Sequence, residues 1–210
     1  MFKKSALSLF IAMNLTACGT MWENTRPKTT GLEQILISTA ADRASNKFAE
    51  SEAGKSVLSS QLGKSYIDDT GFENFDSRYV YALHSVRRYM MDAGVTLVDK
   101  IDEADTIIEV AAGALSIDNT GFLLGIPAMG MPIPFAGQLE MPEIALYKSD
   151  KNRSIAKFSV SVRDAKTGVP KSHSFTTVGT AWSKDWTILV LFEFSSNDLE
   201  MPEEYKSMGD

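Results

Sequence analysis

The clearest indication of the fold comes from Ser154-Ile155-Ala156-Lys157-Phe158-Ser159-Val160-Ser161-Val162-Arg163-Asp164, in which apolar and polar residues alternate. Apolar side chains occupy every second position from Ala156 to Val162, with polar side chains between them. A period of two residues is typical of a β-strand that has one buried face and one solvated face. Lys166-Thr167-Gly168 follows and is typical of a tight turn, so the next strand should return antiparallel.

Two segments earlier in the chain have the apolar spacing of amphipathic helices. The first begins at Thr30, which has capping-box spacing to Glu33, and ends near Gly54. The second can be capped by Asp76 and is stopped by Gly94. We therefore expect two helices before most of the strands.

Further strands are expected at residues 57–60, 65–67, 106–117, 143–148, 172–182 and 187–194. Asp150-Lys151-Asn152-Arg153 resembles a hairpin turn between two of these strands. Two helices followed by hairpin-linked strands predict one α+β domain over residues 31–200, with both helices packed on a mainly antiparallel sheet. A nucleotide-binding fold is not expected, because Gly54-Lys55-Ser56 lacks the upstream glycine of a phosphate loop.

The amino terminus has the ordered features of a bacterial lipoprotein signal. Two lysines precede an apolar run from Ala6 to Leu15, which is too short for a permanent transmembrane helix, and small residues precede Cys18. The thiolate of Cys18 would take the lipid, and a glycine rather than an aspartate at position 19 favours the outer membrane, facing the periplasm. A plain secretory signal or an uncleaved anchor is the alternative.

These features divide the chain into a signal peptide at 1–17, a lipidated tether at 18–30, the domain and a polar tail at 201–210. Removal of residues 1–17 takes away Lys3 and Lys4, so the formal charge of -6 becomes -8. An acidic chain is a poor nucleic-acid binder, and nucleic acid is therefore not expected as a partner. Because the only cysteine carries the lipid, we expect no disulfide.

The segment 119–139 contains twenty-one residues without a charge. Its prolines and glycines exclude an ordinary membrane helix. One interpretation is a long connection folded over the edge of the core; the other is an exposed apolar loop that contacts a partner protein or the bilayer. The candidate contact residues are Phe122, Leu123, Leu124, Ile126, Met129, Met131, Ile133 and Phe135.

No catalytic site is predicted, and neither a metal nor a cofactor is expected. His84 and His173 have no partner at ligand spacing, and no Gly-x-Ser-x-Gly motif is present. Glu109 lies within an apolar strand, where burial could raise its pKa for proton transfer. A position at the sheet edge or a cation carried by a helix is the favoured explanation of this carboxylate.

Several short motifs stand out along the chain: Thr25-Arg26-Pro27-Lys28-Thr29, residues 33–38, Ala41-Asp42-Arg43, Ala104-Asp105 and residues 141–146. With these motifs the chain resembles a family of uncharacterised bacterial lipoproteins that carry a domain of unknown function. The resemblance covers most of the mature chain and brings no catalytic residues. A helix that ends in Gly-Val before an Ala-Asp strand is similar to small envelope domains of the TolB amino-terminal and curli-secretion kind, and this shorter resemblance implies a role in envelope assembly or export.

Together these features predict an outer-membrane lipoprotein that is a binding or assembly component of the cell envelope. The expected partners are the membrane, through the lipid on Cys18, and an unidentified envelope protein that contacts Phe122 to Phe135. One alternative is a periplasmic hydrolase that uses Glu109 or a serine and histidine pair. Another is an oligomeric secretion-type pore that donates residues 119–139 as a membrane hairpin.

Overall fold

A computed structural model of the chain describes residues 31–59, 62–72, 77–133 and 137–200. The predicted signal peptide, tether and tail lie outside these residues. The described residues form two compact units. As far as they are described, the helix-bearing unit contains residues 31–118, 153–182 and 198–200, and the all-β unit contains residues 119–152 and 183–197.

The described residues contain three α-helices, all in the helix-bearing unit. These are α1 (Gly31–Glu50), α2 (Glu52–Ser59) and α3 (Ser77–Asp92). The strand predicted at residues 57–60 is wrong, because Val57 and Gly54 are buried three residues apart on one face of α2. None of the helices in this part of the chain is both long enough and apolar enough to cross a bilayer.

Eight strands are described, and six of them form one sheet in the order β2-β1-β3-β6-β7-β8, while β4 and β5 form an antiparallel pair. Strand β1 pairs in parallel with both β2 and β3, whereas β7 and β8 are antiparallel. The strands are β1 (Lys64–Gly71), β2 (Thr96–Leu97), β3 (Thr106–Ile126), β4 (Met129–Ile133), β5 (Gly137–Met141), β6 (Ile144–Asp164), β7 (Phe175–Ile188) and β8 (Phe192–Asn197).

The predicted fold class is wrong. Among the described residues, strands make up 51% and helices 28%, so this part of the chain is mainly β, with three helices rather than two and a mixed rather than a mainly antiparallel sheet. Parallel neighbours need a crossover connection, and α3 lies between β1 and β3 in the chain. The short strand β1 gave only a weak sequence pattern, which hid this β-α-β order.

Three strand and turn predictions also need correction. The predicted turn Asp150–Arg153 lies inside the continuous strand β6, where the buried positions change from odd numbers to even numbers. The predicted strand 187–194 is interrupted by a turn at residues 189–191. Residues 119–139 are not a long loop: their described part includes the end of β3, strand β4 and the start of β5.

The core of the helix-bearing unit forms where α1 packs against β6 and β7. The alternating side chains of β6 are buried as predicted, and Phe158 is only 1% exposed. Gly179 in β7 permits close approach of the helix, because a Cβ atom there would lie 2.0 Å from the carbonyl oxygen of Ala40. The buried residues of α1 are Leu36, Ile37, Ala40, Ala41, Ala44, Ser45 and Phe48.

Candidate contact surface

The predicted contact residues lie on strands of the all-β unit. Phe122 and Leu124 are each 44% exposed, and Ile126 and Met129 are nearly as accessible, whereas Leu123 is buried. Met131 and Ile133 belong to β4, and Phe135 lies outside the described residues. The prediction thus selected four exposed apolar side chains and one buried one.

Strand geometry explains this division. Phe122, Leu124 and Ile126 are two residues apart and share one face of β3, while Leu123 points to the opposite face. Phe122 packs against Tyr147 of β6, with 6.0 Å between the ring centroids. The exposed face of β3 is therefore apolar and partly aromatic.

A second group of exposed apolar residues in the same unit was not predicted from the sequence. It lies at the start of β6 and around the turn that joins β7 to β8. A signal was present: residues 187–192 are all uncharged and mostly apolar, without the alternation of a half-buried strand. The members are Ile144, Leu146, Ile188, Leu189, Val190, Leu191, Phe192 and Phe194.

The turn between β7 and β8 has an unusual backbone. Leu189 and Val190 have φ values of 49° and 67°, the left-handed region that glycine and asparagine tolerate best. Positions with positive φ in hairpin turns are usually occupied by Gly, Asn or Asp. A β-branched residue in this conformation is strained, so the identity of Val190 is not explained by the local fold.

A shallow depression of about 580 Å³ continues the apolar surface at the β4–β5 hairpin. Met129 and Met141 line it beside the single acidic residue Glu140. Methionine side chains adapt to different partners because they are unbranched and flexible.

The main polar cluster of the helix-bearing unit holds the fold together. Asp42 of α1 accepts hydrogen bonds from the Ser85 hydroxyl at 2.6 Å and from Tyr81 and Arg88 of α3, each at 3.0 Å. Burial and the hydrogen bond to Asp42 raise the pKa of Tyr81. These contacts fix α1 to α3, and they give Asp42 a structural role.

Arg43, the next residue of α1, makes an equally structural contact. Its Nη1 atom donates to the carbonyl oxygen of Thr180 and to Oδ2 of Asp198, both at 2.7 Å. Oδ1 of the same aspartate accepts from the backbone N–H of Trp182 at 2.7 Å. The Ala41-Asp42-Arg43 motif thus stabilises the packing of α1.

Glu109 does not have the raised pKa that proton transfer would use. Its Oε1 accepts from Nε of Arg163 at 2.6 Å, and its Oε2 accepts from the Ser161 hydroxyl at 2.8 Å. The hydrogen bond from Arg163, followed by that from Ser161, lowers the pKa of Glu109. The carboxylate is held ionised on the solvated face of β3 and β6.

The other candidate chemical groups do not assemble into a site. His84 lies exposed on α3, and His173 lies exposed just before β7. No group of three or more histidine, cysteine, aspartate or glutamate side chains in the described ranges could hold a metal ion. A depression of about 410 Å³ lies beside Lys64 and Asp105, but the Asp105 carboxylate already accepts the backbone N–H of Lys64 at 3.1 Å.

Comparison with known families gives one match. The profile of a family of unknown function, DUF6655, matches residues 12–197. The chain belongs to this family. No curated protein matches the chain significantly. Membership of DUF6655 confirms the prediction of a domain of unknown function, while the likeness to TolB and curli-secretion domains stays a prediction.

Proposed function

We propose that this DUF6655 protein is a non-catalytic binding or assembly component of the bacterial cell envelope. It is anchored in the outer membrane by lipid on Cys18 and faces the periplasm. The supporting observation is that exposed large apolar side chains concentrate in the all-β unit, although this unit has fewer described residues than the helix-bearing unit. Contiguous exposed apolar surface is typical of sites that bind proteins or membranes.

The anchor part of the proposal rests on the order of features at the amino terminus. Positive charge, a short apolar run and Leu15-Thr16-Ala17-Cys18 follow one another as lipid attachment and cleavage require. Several acyl chains at one cysteine anchor a protein stably, whereas a single chain gives reversible binding. Gly19 supports the outer rather than the inner membrane.

The anchor is tested by substituting Cys18→Ser and measuring incorporation of labelled palmitate and the mass of the amino-terminal peptide. We expect loss of all label and of the acylated peptide, because serine lacks the thiolate that takes the lipid. Thr20→Ser, two residues away, is the matched control and should retain both. Palmitate on the Cys18→Ser protein would refute the single-anchor proposal.

The contact surface is tested by mild crosslinking and pull-down of the lipidated protein. Phe122→Ser with Leu124→Ser should abolish recovery of the envelope partner, since both substitutions remove exposed apolar area without touching the core. Val169→Ser removes a 60% exposed apolar side chain from the helix-bearing unit and should leave recovery unchanged. Equal recovery with all variants would refute this surface as the contact site.

An oligomeric pore is a second candidate, favoured by one observation. The described part of residues 119–141 consists mostly of strands rather than a loop, and a donated membrane hairpin would need strands. A pore component should run as a large particle after extraction in detergent. A monomer-sized particle supports the binding component instead.

A periplasmic hydrolase has less support. The ion pair between Glu109 and Arg163 favours the charged carboxylate, which is unsuited to donating a proton near neutral pH. A serine and histidine pair would need one of the exposed histidines to meet a serine in a cleft. Loss of a measured hydrolytic activity on substituting His84 or His173 would restore this alternative.

A further inference from the structure

We propose that the turn between β7 and β8 inserts into the phospholipid bilayer that carries the lipid anchor. We call Ile188–Phe192 together with Ile144 and Leu146 the apolar tip. The apolar tip contacts the boundary between headgroups and acyl chains. This region accepts apolar side chains without a matching pocket. This inference rests on the proposed lipid anchor and adds a second membrane contact to it.

Residue type and backbone conformation conflict at the turn between β7 and β8. Leu189 and Val190 adopt positive φ values in water-exposed positions, where Asn-Gly would be both less strained and more soluble. Strain at an exposed site indicates a role that the fold itself does not require. Apolar side chains at this position are useful only if they leave water.

The side chains of the apolar tip are highly exposed to solvent. Leu191 is 81% exposed, and Leu189 and Phe192 are each more than half exposed. The backbone of the turn pairs with β6 on one side, while its apolar side chains stay exposed. Burial of these side chains at the acyl-chain boundary gives favourable transfer free energy without a matching protein pocket.

Two backbone N–H groups of the turn already have hydrogen-bond partners. The N–H groups of Leu189 and Val190 donate to the carbonyl oxygens of Leu146 and Ala145, both at 2.9 Å. An unpaired amide is costly in an apolar medium. These two N–H groups are already hydrogen-bonded within the fold. They keep their acceptors when the turn moves towards the acyl chains.

The flanking residues fit a shallow rather than a deep insertion. The ammonium group of Lys184 lies 4.7 Å from the centre of the Trp186 ring, and such a pair suits the headgroup region. Glu143, paired with Lys148 at 3.0 Å, and Glu193 are charged groups close to the tip in sequence. These charges should remain in water, so only the turn and its nearest apolar neighbours enter the bilayer.

Because the lipid anchor already holds the protein at the membrane, a weak contact between the apolar tip and the bilayer is sufficient for insertion. Twelve residues separate Cys18 from Gly31, the first residue of α1, and a chain of this length spans at most about 40 Å. The folded part is therefore confined near the membrane at a high effective concentration. Because residues 18–210 carry a formal charge of -8, the insertion must be driven by apolar contact rather than by anionic lipid.

The test uses the full lipidated chain in phosphatidylcholine vesicles. Cys18 is the only native cysteine, so Leu191→Cys provides a single free thiol for an environment-sensitive fluorophore. We expect a blue shift and loss of most of the fluorescence when the acyl chains carry bromine. The same label at Val169→Cys, an exposed apolar position of the helix-bearing unit, should show neither change.

A second variant separates insertion from folding. Leu189→Asn with Val190→Gly should maintain or raise the melting temperature but abolish the quenching of the label at position 191. Quenching that persists in this variant, or no quenching in the parent chain with acylated Cys18, overturns the inference alone. A blue shift that depends on protein concentration without vesicles indicates a second copy and also overturns it. An unacylated Cys18 overturns the proposed function and this inference together.

Discussion

The two units of the molecule use similar apolar residues in opposite ways. Phe158 in the helix-bearing unit is 1% exposed, whereas Phe192 in the all-β unit is 56% exposed. A sheet buries an apolar face only where a second layer covers it. Helices α1 to α3 all belong to the helix-bearing unit, and the all-β unit has no helix among its described residues. The described part of the all-β unit therefore leaves exposed the kind of side chain that the helix-bearing unit covers.

Truncating a phenylalanine in each unit should produce the largest contrast. Phe158→Ala removes a fully buried ring and should lower the free energy of unfolding by about 3–5 kcal/mol. Phe192→Ala changes a mostly exposed ring and should lower it by less than about 1 kcal/mol. Chemical denaturation of both variants measures the difference. Similar losses would show that the all-β unit also has a closed core, and the contrast between the units would fail.

Sequence alone could predict the parts of the fold that rest on local periodicity. The alternation of β6 from Ala156 to Val162 follows from it. The apolar stripe expected on the first helix is buried from Leu36 to Phe48, but its first members Leu32 and Ile35 are exposed. The strand expected at residues 65–67 lies within β1, but the parallel pairing of β1 with β3 depends on tertiary contacts that no local pattern records. The same limit applies to the candidate site.

For the candidate site, the apolar segment around Phe122 and Leu124 could be found because it lacks charge. The exposure of Leu189 and Leu191 could not be predicted, because the same apolar run suits a buried strand as well as an exposed turn. Strand alternation also placed Leu123 on the opposite face from its neighbours. Composition therefore indicated a region, while the structure resolved which side chains within it are accessible.

A glycine substitution tests whether the helical layer accounts for the difference between the units. Gly179→Ala places a methyl group against the backbone of α1 at Ala40, so we expect a loss of about 1–3 kcal/mol in the free energy of unfolding. Gly113→Ala is the matched control, because its Cβ atom would lie 3.5 Å from the Lys157 side chain, an ordinary contact. Equal stability of both variants would show that α1 does not approach β7 closely.

At the strained turn between β7 and β8, a substitution should raise the free energy of unfolding instead of lowering it. Val190→Asn should raise the free energy of unfolding by about 0.5–1 kcal/mol, because asparagine tolerates the left-handed conformation better than a β-branched residue. Leu191→Asn changes a neighbouring exposed residue that does not have positive φ, and it should give no gain. A loss of stability in Val190→Asn would show that the apolar side chain supports the turn, which would weaken the contrast between the units.

The smallest effect concerns the solvated face of the helix-bearing unit, where Glu109 pairs with Arg163 rather than exposing apolar area. Glu109→Gln should cost about 0.5 kcal/mol or less at pH 7, since both side chains are partly exposed and solvent screens the pair. The pKa of Glu109 is lowered in the folded state, mainly by the hydrogen bond from Arg163, so the stabilisation exists above the pKa of the unfolded chain. It is lost as the pH falls through the lower folded pKa. A double-mutant cycle with Arg163→Gln, measured at neutral and acidic pH, isolates the coupling. A coupling energy that persists in strong acid would mean that packing, not charge, joins the two residues.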